Sequence, residues 1–568
     1  MNTKRFLCAA LGAVCYFAFL QAQVRTEQTF EKGWKFTRED NAEFANPGYN
    51  DSKWQNVTVP HDWAIYGPFS INNDKQEMAI TQDGQTEAME HAGRTGGLPF
   101  VGTGWYRLNF DAPGFEKGKK ATLIFDGAMS HARVYVNGQE AGYWPYGYNS
   151  FYVDATPYLK LGERNELAVR LENEPESSRW YPGAGLYRNV HLVINEDAHI
   201  PTWGTYATTP VVTDKYAKVS LKTSLVSPEG ANKDNYRIVT QIKDKNGKVV
   251  ATGENKLSVF DNALFEQEFA VANPELWSPE TPVLYMAESK VYEGNTLKDE
   301  YTTRFGIRTL EIVPGKGFFL NGKLTKFKGV CNHHDLGPLG GAVNDAAIRR
   351  QIRILKDMGC NAIRTSHNMP APELVEACDE MGMLFWAEAP FWGIGGFGPD
   401  GYWNSSAYPV YDKHRPGFDA SALQQLGEMI RIHRNHPSIV AWSMCNEAFF
   451  SAPEAMDGVR ELLKKMVALS HQLDPTRPAA IGGAQRPLGV ERIDKLGDIG
   501  GYNGDGATQP DFLNPGIPGV VSEYGSTTAD RPGEYMPGWG DLEKNDGWKG
   551  YEWRSGQAIS VSYTHLRA

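Results

Sequence analysis

The sequence predicts a chain of three domains, in which two β-sandwiches precede a (β/α)8 barrel. Up to about residue 308, short runs alternate apolar and polar residues and are divided by turn signals such as Asn137-Gly138, a pattern typical of antiparallel sandwiches. After that point, short apolar runs alternate with segments of helical periodicity, which is typical of parallel strands covered by helices. Several of the later apolar runs end in a charged or amide side chain, as strands do at the mouth of such a barrel.

The first 22 residues are predicted to be a secretory signal peptide. Lys4 and Arg5 precede an apolar stretch from Phe6 to Leu20, and Ala22 offers a small residue at a cleavage point. The apolar stretch is short for a membrane span, so an uncleaved anchor is the second choice. We therefore expect a secreted or periplasmic protein with no transmembrane span once the signal is removed.

The composition of the chain points away from nucleic acid and toward carbohydrate. The 568 residues carry a net charge of −11, which opposes binding to nucleic-acid phosphates. Aromatic residues make up 12% of the chain, and aromatic faces stack on sugar rings as well as filling cores. The six Cys follow neither a zinc-binding spacing nor a disulfide framework. An oligosaccharide or glycoside is the expected partner, and the chain is compatible with a homo-oligomer.

Residues 23–198 are predicted to form a jelly-roll domain of the sugar-binding type, and residues 199–308 an immunoglobulin-like sandwich. Alternating runs rich in β-branched and aromatic residues indicate the first domain, for example Trp105–Phe110 and Ala132–Val136. The second domain is smaller and holds no cluster of titratable groups, so we expect it to be a spacer.

Residues 309–568 are predicted to form the barrel. Seven strand candidates share a short apolar run: Phe327–Cys331, Ala362–Thr365, Met383–Ala387, Ile439–Ser443, Ala479–Gly482, Ile499–Tyr502 and Gly519–Ser522. A helix capped by Asn344 is expected after the first run, with Ile348, Ile352 and Leu355 at helical spacing. Because the sequence after Glu523 shows no eighth strand and helix, we expect a barrel that lacks its last unit.

Two of these strands deliver a carboxylic acid at their C-terminal ends. The run Ile439–Cys445 is followed by Asn446-Glu447, and Gly519–Ser522 is followed by Glu523. The two acids are 76 residues apart, which leaves room for two further strand and helix units of about 30 residues each. Because such strand ends open on one face of a barrel, both acids should face one pocket. Two carboxylates across a bound sugar are what acid/base cleavage of a glycosidic bond requires.

Other polar side chains lie at the ends of the same strands, and we expect them to line the pocket. They are His333 and His334 at the first strand, Asn361, Arg364 and His367 around the second, Glu388 at the third, Asn446 at the fourth, Tyr502 at the sixth and Tyr524 at the seventh. Taken singly, His334 and Arg364 could instead be hydrogen-bond donors that support a loop, and Tyr524 could be a packing residue.

In these residues the chain resembles glycoside hydrolase family 2, the group of β-galactosidases, β-glucuronidases and β-mannosidases. The likeness covers nearly the whole chain after the signal and rests on three motifs: Asn361-x-x-Arg364-x-Ser366-His367-x-x-Pro370, Asn446-Glu447 and Glu523-Tyr524-Gly525. It implies that Glu447 is the acid/base and Glu523 the nucleophile. It further implies substrate contacts from His333, Asn361, Arg364, His367 and Asn446, a hydrogen bond from Tyr502 to the nucleophile, and supporting positions for Glu388 and Tyr524.

The expected function is that of a retaining exo-β-glycosidase that removes terminal β-linked sugars by double displacement, with β-D-galactosides as the first choice. A β-glucuronidase is the alternative, although the sequence offers no Lys or Arg dedicated to a uronate carboxylate. A noncatalytic carbohydrate-binding protein is disfavoured because both acids are present. A metal hydrolase built on His333, His334 and His367 lacks a fourth ligand.

No cofactor is expected. Some members of the family bind magnesium through a Glu and a His a few residues beyond the acid of the third strand. Here Glu388 is followed by Ala-Pro-Phe-Trp-Gly-Ile, which contains neither residue, so the sequence does not support a divalent metal at this position.

Overall fold

The computed structural model describes residues 24–70, 73, 76–78, 86–87, 89–91, 102–112, 118–160, 162–174, 181–232, 235–256, 264–392, 406–484, 492–503 and 516–523. The predictions for the signal peptide, for Tyr524 and for a missing eighth barrel unit fall outside these residues. The predicted domain limits also stay predictions, and the domains are given below by the bounds of their strands and helices.

The N-terminal domain is a sandwich of two antiparallel sheets. In chain order its strands are β1 (Arg25–Thr29), β2 (Trp34–Thr37), β3 (Gln55–Val57), β4 (Gln76–Met78), β5 (Met89–His91), β6 (Gly102–Asp111), β7 (Lys120–Phe125), β8 (Ala132–Val136), β9 (Gln139–Trp144), β10 (Phe151–Asp154), β11 (Arg164–Asn173) and β12 (Val190–Asn195). The sheets have the orders β1-β12-β7-β10 and β3-β2-β6-β11-β8-β9, and β4 pairs with β5. Between the two sheets lies an apolar core that includes the buried Trp34 and Trp63.

The second domain is a smaller antiparallel sandwich. Its strands are β13 (Thr205–Val212), β14 (Tyr216–Ser224), β15 (Tyr236–Lys243), β16 (Val249–Lys256), β17 (Leu264–Ala272), β18 (Tyr285–Glu293) and β19 (Thr296–Phe305). They form sheets of order β13-β14-β17 and β16-β15-β18-β19. Val219, Ile242 and Phe269 belong to the core between the sheets.

The third domain is a parallel barrel preceded by a small antiparallel sheet. The small sheet holds β20 (Leu310–Val313), β21 (Gly317–Leu320) and β22 (Lys323–Leu324). The barrel strands are β23 (Gly329–Asn332), β24 (Ala362–Thr365), β25 (Leu384–Glu388), β26 (Ile439–Asn446), β27 (Ala479–Gly482), β28 (Ile499–Asn503) and β29 (Gly519–Glu523). They pair in parallel and in chain order. The fold class of two sandwiches and a barrel is therefore confirmed, with seven barrel strands in the described part of the chain.

In the described ranges, four α-helices cover the outside of the barrel strands. They are α1 (Asp345–Asp357), α2 (Pro372–Met381), α3 (Arg415–His433) and α4 (Met456–Leu473). Single 3-10 turns lie at Ala42–Ala45, Ala64–Tyr66, Gly337–Leu339, Asp412–His414, Pro453–Ala455 and Ile493–Leu496. None of the helices just named is long and apolar enough to cross a membrane.

Local sequence signals explain where these elements begin and end. The side chain of Asn344 caps α1 by accepting a hydrogen bond of 3.0 Å from the backbone N–H of Ala347. Gly382 ends α2 with φ of 73°, and a side chain there would meet the backbone of Pro279. All eight residues of β26 are buried, because a parallel strand is covered by helices on one face and by the barrel interior on the other.

The small sheet closes the N-terminal end of the barrel. Ile312 of β20 packs on Trp386 and Ala441 inside the barrel, and Phe318 of β21 packs on Ala362 at the start of β24. This end is therefore filled by apolar side chains. The C-terminal strand ends are left for polar groups.

The four described cysteines lie in or beside the barrel strands and helices as small apolar side chains. Cys360, Cys378 and Cys445 are buried, and Cys331 is half-buried. All four are free thiols in the described part of the chain. Burial raises the pKa of Cys445 to about 12, so its thiol stays protonated at neutral pH.

Asp474 connects the second domain to the barrel. Its buried carboxylate follows α4 and accepts hydrogen bonds from the Tyr206 hydroxyl at 2.7 Å and the Trp442 indole at 2.9 Å. The Arg477 guanidinium lies 2.5 Å away. Burial opposes the charged form, but the nearby Arg477 and the hydrogen bonds lower the pKa of Asp474 to about 2.

We predict that Asp474 makes the protein sensitive to acid. Its folded pKa of about 2 lies below the ordinary value of 3.8, so the ionised form stabilises the folded state above pH 4. This contribution, ~2 kcal/mol, is lost as the pH falls toward 2. Asp474→Asn should lower the thermal midpoint at pH 6 and weaken its decline between pH 4 and 2, measured by circular dichroism.

The matched control is Asp457→Asn, because the side chain of Asp457 is 96% exposed. This variant should keep the parental pH dependence. An Asp474→Asn protein with the full parental decline between pH 4 and 2 would contradict the assignment.

Candidate active site

The C-terminal ends of the barrel strands bring most of the predicted site residues into one cluster. Hydrogen bonds, ion pairs or ring contacts link Arg364, His367, Glu388, Asn446, Glu447 and Glu523, and His333 lies at the edge. These seven side chains come from the ends of five strands, which a barrel places together. The cluster therefore has the location expected of a barrel active site.

The guanidinium of Arg364 lies at the centre of the cluster. It donates to both carboxylate oxygens of Glu388 at 2.9 and 3.0 Å and to Glu523 at 2.9 Å. A further bond of 2.9 Å reaches the side-chain oxygen of Asn446. Burial alone would lower the pKa of Arg364, but the carboxylates of Glu388 and Glu523 raise it. Arg364 is thus a permanent cation between two acids.

Glu388 is enclosed by donors. Besides Arg364, the Ser443 hydroxyl donates to it at 2.8 Å, and Nδ1 of His367 lies 2.6 Å from its carboxylate. Burial raises the pKa of Glu388, and Arg364 and the hydrogen bonds oppose that shift. Because this carboxylate is fully buried, it orients Arg364 and His367 rather than facing a ligand.

Glu447 and Glu523 share one hydrogen-bond donor. The side-chain nitrogen of Asn503 lies 3.3 Å from an oxygen of Glu447 and 3.2 Å from an oxygen of Glu523. Two atoms at these distances from one nitrogen cannot be more than about 6.5 Å apart, the sum of the two distances. The two acids therefore face each other across a gap that can hold one reacting centre.

The backbone conformation of Glu447 directs its side chain into this gap. The residue follows β26 with φ of 52°, in the left-handed region that costs a non-glycine residue on the order of 1 kcal/mol or more. Its backbone N–H donates to the carbonyl of Gly482 at 3.1 Å. The end of β27 thus holds the turn that carries Glu447.

Two glycines leave room for the acids. A Cβ atom on Gly482 would lie 2.6 Å from an oxygen of Glu388. On Gly483, where φ is 62°, it would lie 2.7 Å from Cγ of Glu447 and 2.8 Å from the amide nitrogen of Asn503. No side chain fits at either position without moving a carboxylate.

His367, His333 and Asn446 lie beside the acids in the described part of the site. Nε2 of His367 lies 3.7 Å from Glu523, and the rings of His333 and His367 meet edge to face at 6.0 Å between centroids. The side-chain oxygen of Asn446 accepts bonds from Arg364 and Asn503. Its amide nitrogen makes no hydrogen bond to the residues that the structure describes, so this donor is open to a hydroxyl group.

The structure corrects two predicted substrate contacts. Asn361 precedes β24 and lies at the opposite end of the barrel, where its amide bonds the backbone of Lys326 at 2.9 Å and of Lys328 at 2.8 Å. It stabilises the chain before β23 instead of binding a ligand. Arg364 lies in the site, but its side chain is 1% exposed and its donors are taken by the acids. It holds the carboxylates of Glu388 and Glu523, whereas the alternative left open from the sequence was the support of a loop.

The prediction for Tyr502 is also wrong. Its hydroxyl donates to Asp494 at 3.0 Å, away from the acids. Side chains alternate along a strand, so the next residue, Asn503, points to Glu447 and Glu523 instead. The Ser522 hydroxyl donates to the Asn503 oxygen at 2.8 Å and fixes the orientation of the amide.

Sequence reasoning missed Asn503, Ser443 and the pair Gly482-Gly483. Asn503 could have been found by extending the alternation of β28 by one residue. Ser443 and the glycines carry no signal of their own, because their importance depends on which strand lies beside them. In the described ranges, no group of three His, Cys, Asp or Glu residues is arranged to hold a metal ion.

We predict that Gly483→Ala inactivates the site without unfolding the protein. The new methyl group would displace Glu447 and Asn503, and such a misplacement lowers the rate of aryl β-glycoside hydrolysis on the order of 10²-fold. The control is Gly315→Ala, since Gly315 has a similar φ of 73° but open space around it. Both variants should lose similar thermal stability, measured by differential scanning fluorimetry. Equal activity of the two variants would contradict the steric argument.

Comparison with known proteins identifies the family of the chain. Three family profiles match in order: "Glycosyl hydrolases family 2, sugar binding domain" over residues 28–195, "Glycosyl hydrolases family 2" over 198–308, and "Glycosyl hydrolases family 2, TIM barrel domain" over 312–501. Among solved structures, a glycosyl hydrolase family 2 member from Bacteroides cellulosilyticus is similar with a TM-score of 0.75 and 31% identity. That match covers 93% of this chain and 63% of the other.

Curated relatives carry two activities in their names. The beta-galactosidase BoGH2A of Bacteroides ovatus is 36% identical over 553 residues, which is 90% of this chain and 60% of that protein. A beta-glucuronidase of Bacteroides fragilis is 31% identical over 385 residues, covering 65% of this chain and 53% of that protein. The chain therefore spans little more than half the length of these relatives. By its three profiles and the extent of these likenesses, the chain belongs to glycoside hydrolase family 2.

Proposed function

We propose that this glycosidase works by a retaining mechanism, with Glu523 as nucleophile and Glu447 as acid/base. The observation that carries the proposal is the shared contact of both acids with Asn503. It limits their oxygens to a separation of at most about 6.5 Å, whereas carboxyl groups lie ~5–5.5 Å apart in retaining enzymes and ~6.5–9.5 Å apart in inverting ones. This upper limit lies at the lower edge of the inverting range, so the spacing favours the retaining class.

In the first step, an oxygen of Glu523 attacks the anomeric carbon while the bond to the departing oxygen breaks. Glu447 gives its proton to that oxygen, and a glycosyl ester forms on Glu523. In the second step, Glu447 takes a proton from water, the water oxygen attacks the anomeric carbon, and Glu523 leaves as a carboxylate. Arg364 and Asn503 stabilise Glu523 in its charged form before and after this cycle.

The remaining polar groups are proposed to hold the sugar. The amide nitrogen of Asn446, which bonds to none of the described residues and lies next to Glu447, suits the 2-hydroxyl, a contact that strengthens as positive charge develops at the anomeric carbon. His333 and His367 suit other hydroxyls of the same ring, because they lie at the edge of the cluster beside Glu523. These groups would bind a single terminal sugar.

We propose β-D-galactosides as the preferred substrates. The match to BoGH2A, named a beta-galactosidase, is the first support. The second is the charge around the acids: among the described residues there, the guanidinium of Arg364 is already held by Glu388, Glu523 and Asn446. A uronate carboxylate would need a cation with free donors. Export through the predicted signal peptide, residues 1–22, would expose the enzyme to such glycosides.

A β-glucuronidase is the second candidate. It is favoured by the likeness to beta-glucuronidases, including a solved structure from Bacteroides uniformis with a TM-score of 0.71 and 25% identity. On this alternative, the cation for the uronate would come from residues outside the described ranges.

We predict that replacing each of the two acids changes the kinetics in a different way. Glu523→Gln should lower kcat at least about 10³-fold on every substrate, because an amide cannot form the glycosyl ester. Glu447→Ala should lower kcat/KM by ~10²–10⁴-fold on substrates with poor leaving groups and much less on dinitrophenyl glycosides. Added azide should accelerate Glu447→Ala only, since it can replace the activated water. Near-parental rates for both variants would refute the assignment of the pair.

We predict faster hydrolysis of aryl β-D-galactosides than of aryl β-D-glucuronides, measured as kcat/KM on matched nitrophenyl substrates. On the preferred substrate, proton NMR in the first minutes should show the β-anomer of the free sugar, as double displacement requires. An initial α-anomer would rule out Glu523 as nucleophile, and a preference for the glucuronide would favour the second candidate.

A further inference from the structure

The loop that carries His333 is built against the N-terminal sandwich. We call residues 333–343, between β23 and α1, the histidine loop. Its first residue faces His367 in the catalytic cluster, and both its second residue, His334, and its later residue Gly341 bond to loops of the sandwich. The position of His333 thus depends on contacts with another domain.

Asp62 of the sandwich is the main contact. Its buried carboxylate accepts four hydrogen bonds: from the Tyr181 hydroxyl at 2.6 Å, and from the backbone N–H groups of Gly341 at 2.8 Å, Ala64 at 2.9 Å and Ala184 at 3.0 Å. These donors belong to three segments that are distant in sequence. One side chain therefore joins two sandwich loops to the histidine loop.

The backbone around Asp62 is shaped to admit its carboxylate. Gly340 has φ of 60°, and a side chain on it would collide with an oxygen of Asp62. Gly183, with φ of 68°, would place a Cβ atom 2.9 Å from the same oxygen. Both loops have a glycine, and therefore no side chain, where they contact Asp62.

Two further hydrogen bonds hold the histidine loop, one at its start through His334 and one beside Gly341 through Val343. Nε2 of His334 donates to the carbonyl of Pro182 at 3.1 Å, and the N–H of Val343 donates to the carbonyl of Tyr187 at 2.8 Å. Burial lowers the pKa of His334 to about 3, so the ring is a neutral donor at physiological pH. Fixed at both ends, the loop has little freedom to shift His333.

We infer that Asp62 is a positioning residue of the active site, which sets the place of His333 through its bond to Gly341 and so controls affinity for the sugar. The inference rests on the proposed function, in which His333 binds a hydroxyl of the substrate. Asp62 itself lies in the sandwich, two domains away along the chain from the acids, and touches no reacting atom.

The test is a KM and kcat comparison of Asp62→Asn with the parental protein on an aryl β-galactoside. An amide nitrogen cannot accept the bonds that a carboxylate oxygen accepts, so the loop loses its anchor with little change in volume. KM should rise about three- to tenfold, the loss of roughly one hydrogen bond to the sugar. The value of kcat should change less than about twofold, since the acids stay in place.

A double-mutant cycle separates positioning from general damage. If Asp62 acts through His333, then Asp62→Asn should cause no further rise in KM in a His333→Ala background. The matched control is Asp299→Asn, because Asp299 is a buried carboxylate in the second domain that accepts bonds from Arg25 and Ile200. It should lower the thermal midpoint and leave KM unchanged.

Hydrogen exchange supplies a readout that needs no turnover. The amides of Gly341 and neighbouring residues of the histidine loop should exchange faster in Asp62→Asn, whereas those of β26 should not. If Asp62→Asn does not fold, Tyr181→Phe removes one of the four donors and should give the same pattern at smaller amplitude. A parental protein without glycosidase activity would refute the proposed function alone, since exchange still tests the anchor. Unchanged KM and exchange, or a full KM effect without His333, would overturn the inference.

Discussion

The charge balance around Arg364 is the constraint on which the active site depends. A guanidinium with five donors can hold two carboxylates and an amide at once, and here it holds Glu388, Glu523 and Asn446. Without it, the buried carboxylate of Glu388 would lose the cation that compensates its charge beside Glu523, and burial would favour its protonated form. The positions of strands β24, β25, β26 and β29 therefore follow from one ion cluster.

The two sandwiches stabilise the barrel through hydrogen bonds to its backbone carbonyls. The fully buried Arg188 of the first domain donates to the carbonyls of Met369 at 2.9 Å and Pro370 at 3.3 Å, just after His367. Arg308, at the end of the second domain, donates to the carbonyl of Ile439 at 2.7 Å, at the start of β26. Both contacts act on segments that continue into the catalytic cluster. The two sandwiches therefore hold the backbone of the active site in place, in addition to the sugar-binding and spacer roles expected from the sequence.

Sequence reasoning predicted the fold class and the two acids because both depend on local patterns. An apolar run that ends in a carboxylic acid needs only the period of a buried strand to be recognised, as at Glu447 and Glu523. To predict the direction in which a side chain points, the start and the phase of its strand must also be known. Asn361 lies at the start of its strand, not at its end, and Tyr502 is one residue out of phase with Asn503, the residue that contacts the acids. The family resemblance implied that both lie beside the acids, but the structure does not place them there. Asn503 was missed for the same reason.

The surplus of negative charge at the site has a consequence for ligands. Among the residues that the structure describes at the site, the permanent cation Arg364 faces two carboxylates, and Glu447 is a third acid across the gap. A neutral sugar can make the hydroxyl contacts, but it does not compensate the negative charge of the acids. A sugar-shaped base, with a protonated nitrogen near the anomeric position, would supply the missing charge in a poorly solvated site, where such attraction is strong. The affinity of an inhibitor would then depend on its basicity as much as on the pattern of its hydroxyl groups.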